Sequence, residues 1–209
     1  MQYNHIAIEG NIGSGKTTLA GMLAADYNVR LILEKFADNP FLPKFYKEPE
    51  KNAFPLELFF MAERYHQLKS NKEQDLFQPQ KISDYFFVKS KLFAQNNLKD
   101  DERQLFNRFF EIIFSSLPSP DLVVYLYSSI ERLRKNIIKR GRDFEQDISD
   151  EYLENIQCNY LDYLRKQHHF PVLMLDVSDV DFVKQKDVYD SIKELINNKY
   201  DIGIHRKEL

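Results

Sequence analysis

The sequence predicts an α/β fold: a parallel sheet of five strands, covered by helices on both faces. Three observations carry this expectation. A short apolar run, His5-Ile-Ala-Ile-Glu9, stops at a glycine-rich loop that opens into a helical pattern. Strand-like and helix-like segments then alternate along the chain, as crossover connections between parallel strands require. Finally, Asp121-Leu-Val-Val-Tyr-Leu-Tyr127 is almost continuously apolar, as expected of a strand buried on both faces.

The elements follow in order. Lys16 to Tyr27 reads as a helix with Leu19, Met22 and Leu23 on one face. Val29 to Glu34 is the second strand, and Asn39-Pro-Phe-Leu-Pro43 a loop punctuated by prolines. Ala53 to Lys72 carries Leu56, Phe59, Phe60 and Leu68 at helical spacing, and Gln80 to Asp84 forms a short third strand. Helices are expected at Phe86–Asn96 and Glu102–Ser116, ended by Leu117-Pro-Ser-Pro120. After the strand at Asp121–Tyr127 come helices at Ile130–Lys139 and Ser149–Gln167, a last strand at Pro171–Val177 and a last helix at Phe182–Lys199. The charged tail, His205 to Leu209, is expected to fray. Nothing resembles a repeat or a linker, so residues 1–209 should form one domain.

Composition narrows the function classes. A net charge of −3 and a pI near 6.0 lack the basic excess of a duplex-binding surface, so nucleic acid is not an expected partner. Cys158 is the sole cysteine and has no intrachain partner, which suits a reducing, cytoplasmic location. No apolar run approaches the roughly 20 residues of a membrane span, and the first residues are too polar for a signal peptide. The 17 Phe and 12 Tyr cluster at helical spacing, as in Phe106, Phe109, Phe110 and Phe114, and are read as core or subunit interface.

The strongest chemical signal is Gly10-Asn11-Ile12-Gly13-Ser14-Gly15-Lys16-Thr17, followed by Thr18, in the pattern G-x-x-x-x-G-K-[ST] between a strand and a helix. Its glycines let successive backbone N–H groups converge on phosphate oxygens, and the helix that follows adds the positive end of its dipole. Lys16 brings a mobile charge to β- and γ-phosphates, and the Thr17 hydroxyl suits Mg²⁺. This predicts ATP or GTP binding and phosphoryl chemistry, without naming the acceptor.

Two carboxylates close strands on the side where open α/β sheets bind ligands. Glu34 could serve as a base toward an acceptor hydroxyl. Asp84 could hold a metal through water, or merely cap the next helix. Lys139-Arg140-Gly141-Arg142, followed by Asp143-Phe-Glu145, reads as a lid with two guanidinium forks on a glycine hinge. His168-His169 lacks companion ligands at metal-binding spacing, and Cys158 reads as a packing residue.

Taken together, these motifs resemble the deoxynucleoside kinase family of P-loop kinases from Ile6 to about Leu164. The resemblance implies ATP and a deoxynucleoside as ligands, Mg²⁺ as cofactor, homodimers paired through helices, and a purine deoxynucleoside as the favoured acceptor in nucleotide salvage. It makes Glu34 the general base. Lys16, Arg140 and Arg142 would stabilise the transferring phosphoryl group. Tyr46, in Tyr46-Lys-Glu-Pro-Glu-Lys-Asn-Ala-Phe54, and Glu145 would hold the sugar 3′-hydroxyl. Arg64, seven residues beyond Glu57, would contact the base.

The chain departs from the family pattern in three places. Glu57 stands where the family has a base-reading glutamine, and a carboxylate accepts hydrogen bonds but does not donate them. Such a side chain needs a pairing partner, Arg64 or another donor, and should disfavour thymidine. Asp84-Tyr85-Phe86 replaces an acidic-Arg-Ser triplet, leaving Lys35 or Lys89 to supply the missing cation. Asn136 stands where an arginine flanks adenine. Another P-loop small-molecule or nucleoside monophosphate kinase, or an impaired nucleotide-binding relative, remains the alternative reading.

Overall fold

The computed structural model describes residues 1–35, 39–70 and 80–209. Six strands, β1 (His5–Gly10), β2 (Arg30–Ile32), β3 (Lys81–Ser83), β4 (Leu122–Tyr127), β5 (Pro171–Asp176) and β6 (Gly203–Glu208), form one sheet in the order β2-β3-β1-β4-β5-β6. Every neighbouring pair runs parallel. The helices are α1 (Lys16–Tyr27), α2 (Leu42–Phe45), α3 (Pro49–Ser70), α4 (Lys89–Asn97), α5 (Asp100–Phe114), α6 (Ile130–Arg140), α7 (Asp150–Lys166) and α8 (Lys186–Asn197).

The sheet has six strands rather than the five expected. The tail expected to fray is β6, in register with β5 from Pro171↔Gly203 to Asp176↔Glu208. Its polar residues concealed it from a hydrophobicity reading. Strand pairing uses backbone groups, and a half-exposed edge strand tolerates charge.

Strand residues alternate between two cores. Ile6, Ile8, Val124, Leu126, Leu173 and Leu175 pack with Leu19 and Leu23 of α1 and Ile192 and Ile196 of α8. Ala7, Val123 and Tyr125 face the opposite way, toward Phe106, Phe110, Ile156 and Tyr160. The aromatic residues thus divide. Phe106 and Phe110 are buried, while Phe109 stays 45% exposed.

Most boundary differences are short and come from caps. Ser149 and Ser129 accept from Tyr152 N and Arg132 N, fixing the starts of α7 and α6. Asp181 Oδ1 accepts from the backbone N–H groups of Val183 and Lys184, so residues after Phe182 turn before α8 begins at Lys186. The proline loop at 39–43 leads into the short α2, with Pro43 in its first turn. Helix α3 starts at Pro49, ahead of the expected Ala53. The last two residues of that expected segment, 71 and 72, lie outside the described residues. No helix of the described residues is long and apolar enough to cross a membrane.

Candidate active site

The C-terminal ends of β1, β2 and β3 deliver three groups to one edge of the sheet: the glycine-rich loop, Glu34 and Asp84. Gly13 has φ 84°, and a Cβ there would lie 2.8 Å from the Leu133 carbonyl, so only glycine fits. Asn11 anchors the loop. Its Nδ2 donates to Leu153 O at 2.7 Å and its Oδ1 accepts from Ile12 N at 2.8 Å. Asn136 Nδ2 donates to Gly13 O at 2.8 Å, so this departure from the family pattern braces the loop. Lys16 Nζ rests on Asn11 O at 2.7 Å. Burial and the nearby Lys89 charge bring the Lys16 ammonium down to about 8, against the pull of Glu9, Glu34 and Asp84.

Asp84 joins two of these groups. Its Oδ2 accepts from Thr17 Oγ1 at 2.6 Å and its Oδ1 from Glu34 N at 2.7 Å. A hydroxyl and a carboxylate facing each other at this distance form a hard oxygen pair of the kind Mg²⁺ takes.

Glu34 sits between two cations. Its Oε1 accepts from Arg64 Nε at 2.8 Å and Arg64 Nη2 at 2.5 Å, and its Oε2 from Lys89 Nζ at 2.5 Å. Burial alone would raise its carboxyl, but Lys89 and Arg64 together hold it down to about 2. Arg64 also donates through Nη1 to Ser90 Oγ at 2.7 Å. Of the two lysines considered for the missing cation, Lys89 is the one at the carboxylate, whereas Lys35 is exposed to solvent. Tyr85 is fully buried and donates to Gln67 Oε1 at 2.9 Å.

One cavity collects most of the expected site: Ile12, Lys16, Thr17, Glu34, Tyr46, Glu57, Arg64, Asp84, Arg140, Arg142 and Glu145 all line it. An adjoining cleft of about 630 Å³ takes Gly13, Ser14, Gly15 and Thr18 together with Lys16, Thr17, Arg140 and Arg142. Gly10 and Asn11 lie beneath the loop and shape it. The lid begins where α6 ends at Gly141, whose φ of 70° is the left-handed cap. Both lid arginines are drawn to buried Glu145, Arg140 through Nη2 and Arg142 through Nη1 at 3.1 Å. Phe144 stacks on Tyr46 with ring centroids 6.0 Å apart.

Glu57 is 1% exposed and lines the cavity floor with Leu56, Phe60 and Phe93. Its hydrogen-bond partner is Asn97, whose Nδ2 donates to Oε1 at 2.7 Å; Arg64 acts on it through charge. Of the two partners expected, the structure therefore selects another donor over Arg64, because Arg64 is already committed to Glu34. Burial pushes the Glu57 carboxyl up to about 7, in spite of Arg64, Asn97 and Lys89.

Sequence reasoning missed Asn97, Tyr152 and Glu9. Asn97 and Tyr152 line the cavity from α4 and α7, far from any motif. Glu9, 3% exposed, accepts from Phe86 N at 2.5 Å and Tyr160 Oη at 2.9 Å. An ionisable residue closing an apolar strand just before a phosphate loop was the one available signal.

A G-x-x-x-x-G-K-[ST] loop between strand and helix, a threonine–aspartate oxygen pair and an adjoining cavity on one parallel sheet define a P-loop phosphotransferase. The deoxynucleoside kinase family model matches residues 6–200. A deoxyguanosine kinase from Bacillus subtilis (strain 168) is 36% identical over 200 residues, covering 91% of this chain and 97% of its own. A deoxyadenosine kinase from Dictyostelium discoideum is 32% identical, covering 92% and 79%. The structure of deoxyadenosine kinase from M. mycoides with bound dATP matches with a TM-score of 0.81 at 26% identity, covering 93% of this chain and 99% of that one. The chain belongs to the deoxynucleoside kinase family.

Proposed function

We propose that this kinase transfers the γ-phosphate of ATP to the 5′-hydroxyl of a purine deoxynucleoside, supplying nucleotide salvage in the cytoplasm. The observation that carries the reading is Glu34. It is an ionised carboxylate clamped by Arg64 and Lys89 in the same cavity as the phosphate-loop lysine. Its low basicity suits a loose transition state, in which the acceptor hydroxyl keeps its proton until late. Glu34 first orients the hydroxyl, then takes the proton as the phosphoryl group arrives. Lys16 exchanges the Asn11 carbonyl for phosphate oxygens. Arg140 and Arg142 exchange Glu145 for the transferring group, freeing Glu145 to hold the sugar 3′-hydroxyl with Tyr46. Thr17 and Asp84 would hold Mg²⁺, which when bound neutralises phosphate charge.

Lys89 also weakens the case for an impaired relative, since the cation absent at Tyr85 is supplied by the first residue of α4. The test is an ATP-dependent phosphorylation assay across the deoxynucleosides. Lys16→Ala should lower turnover at least about 100-fold with the fold intact by circular dichroism. Near-normal turnover by the folded variant would exclude phosphoryl transfer at this loop.

The protein should work as a homodimer. Helix α5 leaves Leu105, Phe109 and Ile112 at 46%, 45% and 71% exposure, one apolar stripe at helical spacing. The other helix expected at the interface, around Leu56–Tyr65, contributes less. Its Leu56, Phe60 and Met61 are buried in the chain's own core.

A further inference from the structure

Buried Glu57 and half-buried Asn97 form a pair in the cavity that the phosphoryl-transfer chemistry does not use. Asn97 holds Oε1 of the carboxylate, and no side chain of the described residues hydrogen-bonds Oε2. The amide orientation of Asn97 is itself fixed, since its Oδ1 accepts from Asn96 Nδ2 at 3.1 Å. The two carboxylate oxygens offer about four acceptor positions, and Asn97 occupies one. A buried carboxylate with open acceptors at a ligand site calls for a partner presenting adjacent donors.

The four nucleobases differ on this point. Guanine alone offers two neighbouring donors, N1–H and the N2 amino group, spaced to meet both oxygens of one carboxylate. Adenine and cytosine set a ring-nitrogen acceptor beside their amino group. Thymine places a single N–H between two carbonyl oxygens. Each of these would bring an acceptor lone pair against Glu57. Arg64 adds to the discrimination. Three of its N–H groups go to Glu34 and Ser90, and of the five that a guanidinium carries the remainder can meet acceptors such as guanine O6 and N7. Adenine would instead turn its N6 amino group toward those donors.

We infer that the Glu57 carboxylate, held by Asn97, reads the N1–H and N2 amino edge of guanine, making deoxyguanosine the preferred acceptor. The inference rests on the deoxynucleoside kinase reading and names which nucleoside that site takes. Groups facing Glu57 come from every side of the cavity: Arg64 from its own helix, Lys89 and Asn97 from α4, Glu34 from beyond β2, Tyr46 near the lid and Tyr152 from α7. The cations outnumber Glu34, so the ionised form has electrostatic support when guanine arrives.

The experiment measures kcat/KM at pH 8 for deoxyguanosine, deoxyinosine and deoxyadenosine with the wild-type protein and Glu57→Gln. Deoxyinosine keeps N1–H and lacks the amino group, so the expected wild-type order is deoxyguanosine, then deoxyinosine, then deoxyadenosine. In Glu57→Gln the ratio of deoxyguanosine to deoxyadenosine should fall by about 30-fold or more, because an amide brings one acceptor and an opposing N–H. A circular dichroism spectrum and a melting midpoint like the wild type's report that the variant folds. A wild-type preference for deoxyadenosine would overturn the assignment without any variant. So would a ratio that Glu57→Gln leaves within about twofold. Absence of phosphorylation of every deoxynucleoside, with ATP bound, would instead overturn the underlying kinase reading and this inference with it.

Discussion

At the scale of single residues, the site is governed by how each charge is compensated. Glu57 is buried with one amide donor, and burial pushes its carboxyl up to about 7, whereas Lys89 and Arg64 hold Glu34 down to about 2. The sign for Glu57 follows directly. Its pKa is raised, so raising the pH from 6 to 8 converts it from a carboxylic acid, which can donate to adenine N1 while accepting from N6, to a carboxylate that suits guanine. The deoxyguanosine-to-deoxyadenosine ratio of kcat/KM should therefore rise across that range in the wild type and stay flat in Glu57→Gln. For Glu34 the pKa is depressed, so its charge is lost only as pH falls toward about 2. Lys89→Ala removes the stronger of the two restraining charges, and burial then pushes the carboxyl up. The acid limb of the pH–rate profile should move to higher pH by at least about one unit. Lys89→Arg should keep the limb near its wild-type position. An unmoved limb in Lys89→Ala would show that Lys89 does not tune this carboxylate.

At the scale of elements, the turn after α6 gathers two guanidinium groups on one carboxylate. Gly141 lets α6 end in a left-handed turn, and the short turn at Asp143–Glu145 brings Glu145 back onto Arg140 and Arg142. Without phosphate the guanidinium groups have a carboxylate partner, and a triphosphate would compete for them with more charge. On the proposed mechanism their stabilisation is greatest as charge shifts toward the leaving phosphate oxygens during transfer. Arg142→Ala should lower the single-turnover rate about 100-fold while changing deoxynucleoside affinity by less than about threefold. Comparing rapid-quench rates with calorimetric affinities checks this. Equal losses in both would make Arg142 a ground-state binding residue.

For the whole molecule, the parallel sheet sets where the site residues meet, and the outer helix α5 carries the surface proposed for assembly. The ends of β1, β2 and β3 bring the glycine-rich loop, Glu34 and Asp84 together, and the sheet is covered by α1 and α8 on one face and by α3, α4, α5 and α7 on the other. Among the described residues, α5 carries more exposed large hydrophobic side chains than any other helix: Leu105, Phe109 and Ile112. Ile112→Glu should convert a dimer to a monomer by light scattering at micromolar concentration, with little change in thermal stability, since Ile112 is 71% exposed in one chain. A wild-type protein that is already monomeric would exclude the dimer.

What the sequence by itself determined is what lies close along the chain. The run Gly10–Thr17 is legible as a phosphate-loop pattern because its eight residues are contiguous. The paired arginines around Gly141 stand out for the same reason, and apolar periodicity was enough for the sheet's interior strands and most helices. What only the tertiary structure decided is which distant groups meet. Lys89, rather than Lys35, reaches Glu34 across 55 residues because β2 and β3 lie side by side and α4 begins just beyond β3. Asn97 reaches Glu57 across 40 residues because α4 packs against α3. Strand β6 was invisible for a related reason: its order comes from backbone pairing with β5, which no pattern of side chains announces. Local chemistry is written in neighbouring residues, but the value of a charge depends on what burial and packing put beside it.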